Sequence, residues 1–120
     1  MKLIYFPKVK QLFDIFFGDN PNRGDTSPEL RRTIERYTYN LRGSRQERVA
    51  IPPELEAYID KVTLYAYKVT DEDIAELKAL GYTEDELFEI TISAALGAGQ
   101  TRLECGLTAL KEGKYVEMGR

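Results

Sequence analysis

Apolar residues recur every three or four positions along most of the chain, the spacing that gathers side chains on one face of an α-helix. The stretches between them are rich in glycine, proline and small polar residues, which interrupt helices. The pattern predicts helices over about 3–17, 28–41, 53–68, 71–80 and 84–112. We therefore expect an all-α fold, a bundle of about five helices in one domain that spans 1–120.

Three helix starts carry local capping signals. Ser27 precedes a proline in the first turn of the second helix. Thr70 is followed by three acidic residues, and Thr83 with Glu86 has the spacing of a capping box. Clustered carboxylates can also bind a cation, but the ligand spacing and central glycine of a calcium loop are absent. We expect helix caps here and no metal site.

The last predicted helix has two apolar faces when its residues are placed at 100° intervals. One face is bulky, and we expect it to face the core: Phe88, Ile92, Leu96, Gly99, Leu103, Leu107 and Leu110. The other is made of mostly small residues: Leu87, Thr91, Ala94, Ala98, Thr101, Cys105 and Ala109. The remaining arc is polar: Glu86, Glu89, Ser93, Gln100, Glu104 and Lys111. We expect a second helix or another subunit to cover the small-residue face.

The chain has one cysteine and no histidine, which removes several kinds of chemistry. Serine–histidine and cysteine–histidine catalysis are excluded within one chain, as is a zinc site built from cysteine and histidine. Cys105 lies late in the last helix beside Glu104, a position that disfavours the thiolate. Gly97 and Gly99 precede it inside a helical pattern, so they do not form a phosphate-binding loop. We interpret Cys105 as a packing residue.

Charge is distributed unevenly, with a formal +4 over 1–50 and −7 over 51–120. A basic first half could bind nucleic acid, through Arg31, Arg32, Arg36, Arg42, Arg45 and Arg48. Acidic residues are interleaved with these arginines, and Arg31 with Glu35 has the i,i+4 spacing of a helical ion pair. We therefore favour a solvated face and expect no nucleic-acid partner. No apolar run has membrane-spanning length and no signal peptide is recognised, so we expect a cytoplasmic protein without membrane contact.

The core sequence resembles one family. The stretch YIDKVTLYAYKVTDEDIAELKALGYTEDELFEITISAALGAGQTRLECGL is similar to the helical core of the carboxymuconolactone decarboxylase and alkylhydroperoxidase D (AhpD-like) superfamily. The resemblance spans 54–110, about half of the chain, and rests on the order of two capped helix starts and a long alanine-rich helix. It divides the domain into 1–50 with the N-terminal helices and a loop, a family-like core over 51–113, and a tail over 114–120.

Membership of this family implies an all-helical fold that forms homo-oligomers. Its redox-active members reduce peroxides with a Cys-x-x-Cys pair and a histidine, and the corresponding helix here, LEAYIDKVTLYAYK, has neither. Cys105 lies on a different helix, and one thiol cannot complete a two-cysteine cycle. We therefore expect a non-redox, oligomeric protein with a binding or structural role, no cofactor, and a subunit contact through the small-residue face of Ala94, Ala98, Thr101, Cys105 and Ala109.

An enzymatic alternative remains. A peroxidase-like or lactone-processing activity could use Cys105 with a thiol of a partner chain, or acidic and tyrosine side chains of the third helix, with Glu54 and Tyr65 as candidates. The competing interpretation, which we favour, is that Tyr58 and Tyr65 are core aromatic residues and the acidic side chains lie at the surface.

Overall fold

The computed structural model describes Gln11, residues 15–16, residues 21–41 and residues 49–112. Within these residues the chain forms four α-helices: α1 (Pro28–Leu41), α2 (Pro53–Leu64), α3 (Asp71–Ala79) and α4 (Glu84–Glu112). Two short 3-10 turns, Pro21–Arg23 and Ala66–Lys68, precede α1 and follow α2. The all-α prediction is confirmed for this part of the chain, where no strand occurs.

Several predicted elements lie outside the described residues. The predicted first helix, 3–17, is represented only by Gln11, Ile15 and Phe16, which have helical conformation. The tail over 114–120 and the arginine-containing connection over 42–48 are not among the described residues. The count of five helices therefore stays a prediction.

Capping side chains determine where α3 and α4 begin, as predicted. The Thr70 hydroxyl accepts a hydrogen bond from the backbone N–H of Asp73, whose carboxylate accepts one from the Thr70 N–H at 2.8 Å. Thr83 and Glu86 form the same reciprocal pair at the start of α4, at 3.0 and 2.8 Å. Each pair satisfies two backbone donors that a helix start leaves free.

The third predicted helix ends earlier than its apolar pattern suggests. We predicted a helix from Pro53 to Lys68, and α2 ends at Leu64. Tyr65 has φ −142° and ψ 53°, outside the helical region, although its backbone N–H still bonds to the Lys61 carbonyl. The following residues form a separate 3-10 turn, so Tyr65 is redirected outwards and is 49% exposed. The prediction of a core aromatic is confirmed for Tyr58 and wrong for Tyr65.

The core forms where α1 and α2 pack against the first half of α4. Its fully or nearly buried side chains come from all four helices and from the connection before α2: Ile34, Ile51, Leu55, Tyr58, Ile59, Leu77, Leu87, Ile90 and Ala94. Gly97 allows α1 to approach α4 closely, because a Cβ there would overlap the Thr38 hydroxyl and the Glu35 carbonyl. Burial of this apolar surface is the main favourable contribution to folding.

The face of α4 that meets the core is not the one we predicted. The buried residues of α4 include Leu87, Ala94 and Ala98 of the small-residue face, together with Ile90, Glu89 and Ser93, which lie outside the predicted bulky face. The leucines of the bulky face are exposed in its second half: Leu103 by 61%, Leu107 by 54% and Leu110 by 78%. The prediction of a continuous bulky core face is therefore wrong. Close approach of α1 at Gly97 explains the choice, since only small side chains fit beneath it.

Burial of Ala94 and Ala98 also corrects the predicted subunit contact. Both residues are covered within one chain, so they are not available to a second subunit. Thr101 is likewise engaged within the chain, since its hydroxyl donates a 2.7 Å hydrogen bond to the Tyr39 carbonyl of α1. Cys105 is exposed and Ala109 is half-buried. Of the two predicted ways to cover the small-residue face, a second helix or another subunit, the structure shows a second helix, α1.

None of the helices in the described ranges combines the length and apolar character that crossing a bilayer requires.

Candidate functional site

The three candidate catalytic residues lie at three different positions of the fold. Glu54 is in the first turn of α2, and Tyr65 follows its last residue. They are eleven positions apart, which corresponds to about 16 Å along the helix axis. Cys105 is exposed on the second half of α4. No hydrogen bond of the described residues joins these three side chains.

Glu54 and Tyr65 each have a local partner instead. The Tyr82 hydroxyl donates a 2.7 Å hydrogen bond to the Glu54 carboxylate, which lowers the pKa of Glu54. Partial burial, reinforced by this hydrogen bond, raises the pKa of Tyr82 to about 12. The Lys68 ammonium lies 5.1 Å from the centroid of the Tyr65 ring. The Glu54 contact connects the α3–α4 turn to α2.

A buried polar cluster lies where the loop before α1 meets α4. Glu89 is completely buried, and its carboxylate accepts hydrogen bonds from the backbone N–H groups of Asp25 and Thr26, both at 2.8 Å. The Thr26 hydroxyl donates to the same carboxylate at 2.5 Å. The guanidinium of Arg31, which is only 3% exposed, lies 3.5 Å from Glu89 and 5.7 Å from the Phe16 ring centroid. We name these contacts of Glu89, Arg31 and Thr26 the polar cluster.

Sequence reasoning missed the polar cluster. It placed Glu89 and Ser93 on a polar surface, and both are fully buried. It assigned Arg31 to a solvated face, which is wrong for this arginine and correct for Arg32 and Arg36, which are exposed. Because the Glu89 oxygens are occupied by donors of the loop, the cluster fastens that loop to α4 and has no free group to act as an acid or base.

A cavity of about 480 Å³ lies between the end of α1 and the start of α2. Among the described residues it is lined by Tyr37, Asn40, Leu41, Val49, Ala50, Ile51 and Glu56. The Oδ1 atom of Asn40 is buried and accepts no hydrogen bond from a described residue. The Tyr37 hydroxyl donates to Asp60 at 2.6 Å, and burial together with this carboxylate raises the pKa of Tyr37. The volume is within the range of small-molecule sites, and the residues predicted to be catalytic do not line it.

The most distinctive exposed surface lies on the second half of α4. Leu96, Leu103 and Leu110 follow one another at intervals of seven residues, and Gly99 and Gly106 repeat at the same interval between them. Leu107 lies beside this series. We name these six residues the leucine stripe. Leu103 lies two positions after Thr101, which contacts α1, so it points about 200° round the helix, away from α1.

The glycines of the leucine stripe differ from Gly97. Among the described residues, a Cβ at Gly99 or Gly106 would meet no atom within 4 Å, whereas one at Gly97 would collide with α1. Packing within this part of the chain therefore explains Gly97 and does not explain the other two. The seven-residue repeat of leucine and glycine is visible in the sequence alone.

No group of three or more metal-ligating side chains occurs among the residues that the structure describes. Comparison of the chain with protein-family models, curated proteins and solved structures finds no match. The resemblance to the carboxymuconolactone decarboxylase and AhpD-like superfamily thus stays a prediction.

Proposed function

We propose that the protein is a non-redox, homo-oligomeric helical protein with a binding or structural role, and that the leucine stripe is its self-association surface. The observation that carries this proposal is the exposure of three leucines on a single face of α4, by 54% to 78%. Single exposed leucines are common on protein surfaces, whereas a contiguous series on one helix face is typical of an interaction site.

The size of the leucine stripe is consistent with reversible association. The exposed fractions of Leu103, Leu107 and Leu110 together amount to about two whole leucine side chains per subunit. At about 1.5–3 kcal/mol for each leucine buried, a dimer would gain about 6–12 kcal/mol. Association costs about 4–15 kcal/mol, so we expect a dimer with a dissociation constant of about 1 µM or weaker.

The absence of a complete thiol cycle supports the non-redox part of the proposal. The chain contains one cysteine and no histidine, and Cys105 has no second thiol to resolve an oxidised sulfur. Enzymatic use of Cys105, or of Glu54 and Tyr65, is the alternative. Turnover of a hydroperoxide with a dithiol donor that is lost in Cys105→Ser would support this alternative and contradict the non-redox proposal.

Sedimentation equilibrium tests the association. We expect the wild-type protein to shift from monomer to dimer as its concentration rises over about 1–500 µM, the range that the energy estimate implies. Leu103→Asp should remain monomeric, because it places a charge at the centre of the stripe. Leu80→Asp is the matched control, since Leu80 is 65% exposed and lies on the turn after α3. A wild-type protein that stays monomeric, or a dimer that both variants retain, would overturn the proposal.

A further inference from the structure

We propose that two copies of this chain pair through the leucine stripe with their α4 helices antiparallel, so that leucines of one subunit pack over glycines of the other. This inference rests on the proposed self-association and adds its geometry. The specific contacts are Leu103 over Gly106 of the partner subunit and Leu110 over Gly99 of the partner subunit. The two-fold axis then passes between residues 104 and 105.

The seven-residue interval identifies the partner as another helix. Leu96, Leu103 and Leu110 occupy one position of a heptad, and Gly99 and Gly106 occupy the position three residues later. These correspond to the two contact positions of a coiled coil, where each side chain inserts between residues of the facing helix. A small ligand or an extended peptide does not require a face that repeats at this period over two heptads.

The two glycines give the face its shape. Glycine is disfavoured inside a helix, and no described residue approaches Gly99 or Gly106 closely enough to require the absence of a side chain. Beside the exposed leucines they create hollows at regular spacing. The stripe therefore carries projections and hollows that alternate along the helix axis.

The alternation favours the antiparallel arrangement. In a parallel, in-register pair each contact layer contains the same position from both helices, so leucine would meet leucine and glycine would face glycine across an empty space. In an antiparallel pair each layer combines the two positions, so Leu103 and Leu110 each meet a glycine and large residues alternate with small ones. Leu103 and Leu110 from two subunits fill four such layers. Antiparallel alignment also places opposite ends of the helix dipoles side by side.

Self-complementarity favours a second copy over a different protein. The same surface supplies the projection and the hollow, with equal spacing, which is the condition for an interface with two-fold symmetry. The acidic residue nearest the axis, Glu104, accepts a 2.5 Å hydrogen bond from the Tyr39 hydroxyl of α1. This contact holds the carboxylate on the α1 side of the helix, beside the leucine stripe rather than within it.

Spin-label distances test the direction of the helices, and the single native cysteine makes the labelling simple. One sample carries the label on Cys105, and the other carries it on Ala95→Cys in a Cys105→Ser background; both positions are exposed. In the antiparallel dimer residues 95 are about 29 Å apart along the axis, whereas the two Cys105 positions have almost no axial separation and report the distance across the pair in either orientation. A parallel pair would bring residues 95 to the same height and make their distance shorter than that of the Cys105 sample, which would overturn the inference while leaving self-association intact.

Substitution of a glycine tests the contact itself. Gly106→Leu should weaken dimerisation at least tenfold, because the new side chain fills the hollow that the partner's Leu103 occupies. Thr108→Leu adds the same side chain to an exposed position on the other side of α4 and should leave the dissociation constant within twofold. If Gly106→Leu instead strengthens dimerisation, the stripe associates only as a general apolar surface and the layered packing is wrong. A wild-type protein that does not dimerise would contradict both the self-association and the antiparallel geometry.

Discussion

Replacement of Glu89 by glutamine tests whether the polar cluster holds the loop before α1 in place. The carboxylate accepts hydrogen bonds at both oxygens, from the Asp25 N–H at one and from the Thr26 N–H and hydroxyl at the other. An amide keeps one of these oxygens and presents an NH₂ group at the other position. In either orientation a backbone donor then faces a donor, and the buried Arg31 loses the negative charge beside it.

The expected loss is large for a domain of this size. Removing one partner of a buried charge pair costs about 3–5 kcal/mol, whereas small domains are stable by about 5–15 kcal/mol. We expect Glu89→Gln to lower the free energy of unfolding by about 3–5 kcal/mol. Urea unfolding followed by far-ultraviolet circular dichroism measures it, at one protein concentration because dimerisation would also contribute.

Two variants make the result interpretable. Glu76→Gln changes an exposed carboxylate of α3 and should stay within about 0.5 kcal/mol of the wild type. The double variant Arg31→Met with Glu89→Leu replaces the buried pair by apolar side chains and should recover part of the loss. If Glu89→Gln is as stable as Glu76→Gln, the polar cluster does not fasten the loop in solution, and its proposed structural role is refuted.

Two further predictions concern α4 and α3. Gly97→Ala should destabilise the protein by about 1–3 kcal/mol, because the added Cβ overlaps α1. Helix propensity alone predicts a gain of about 1 kcal/mol in stability. Urea unfolding gives the sign of the change, and a gain in stability would contradict the close approach of α1 at Gly97. The Thr70 N–H and the Lys61 ammonium lower the pKa of Asp73 in the folded protein. The contribution of Asp73 to folding stability is therefore present above about pH 4 and is lost as the pH falls through the lowered pKa. The stability difference between wild type and Asp73→Asn should therefore shrink on acidification, and a difference that is constant from pH 6 to about pH 2 would exclude this contribution.

Local features of the fold could be predicted from the sequence because nearby residues determine them. Thr70 and Thr83 form their predicted caps with acidic side chains three positions later. The polar cluster could not be predicted in this way, since Glu89 and Asp25 are separated by 64 positions. A helical wheel shows a glutamate among polar residues, and only the tertiary fold reveals that a loop supplies its hydrogen-bond donors.

For the candidate site, the sequence also predicted the local pattern and not the tertiary packing. The sequence contained two apolar faces on α4, but it did not indicate which of them the chain itself would cover. We expected the bulky leucine face to meet the core, because large apolar side chains contribute most to stability when they are buried. The structure covers the small-residue face, because α1 crosses where Gly97 permits close approach.

Comparison of Gly97 with Gly99 connects the packing of α1 on α4 to the proposed subunit contact. The two residues are two positions apart in the stretch GAGQTRLECGL, yet Gly97 lies against α1 and Gly99 has no described atom near it. If both glycines served packing among the described residues, Gly99 would also have an atom near it. An unfavourable residue that repeats with exposed leucines at coiled-coil spacing is accounted for by contact with another helix. The half of α4 that the described residues leave exposed is thus the part whose sequence supports the proposed contact between subunits.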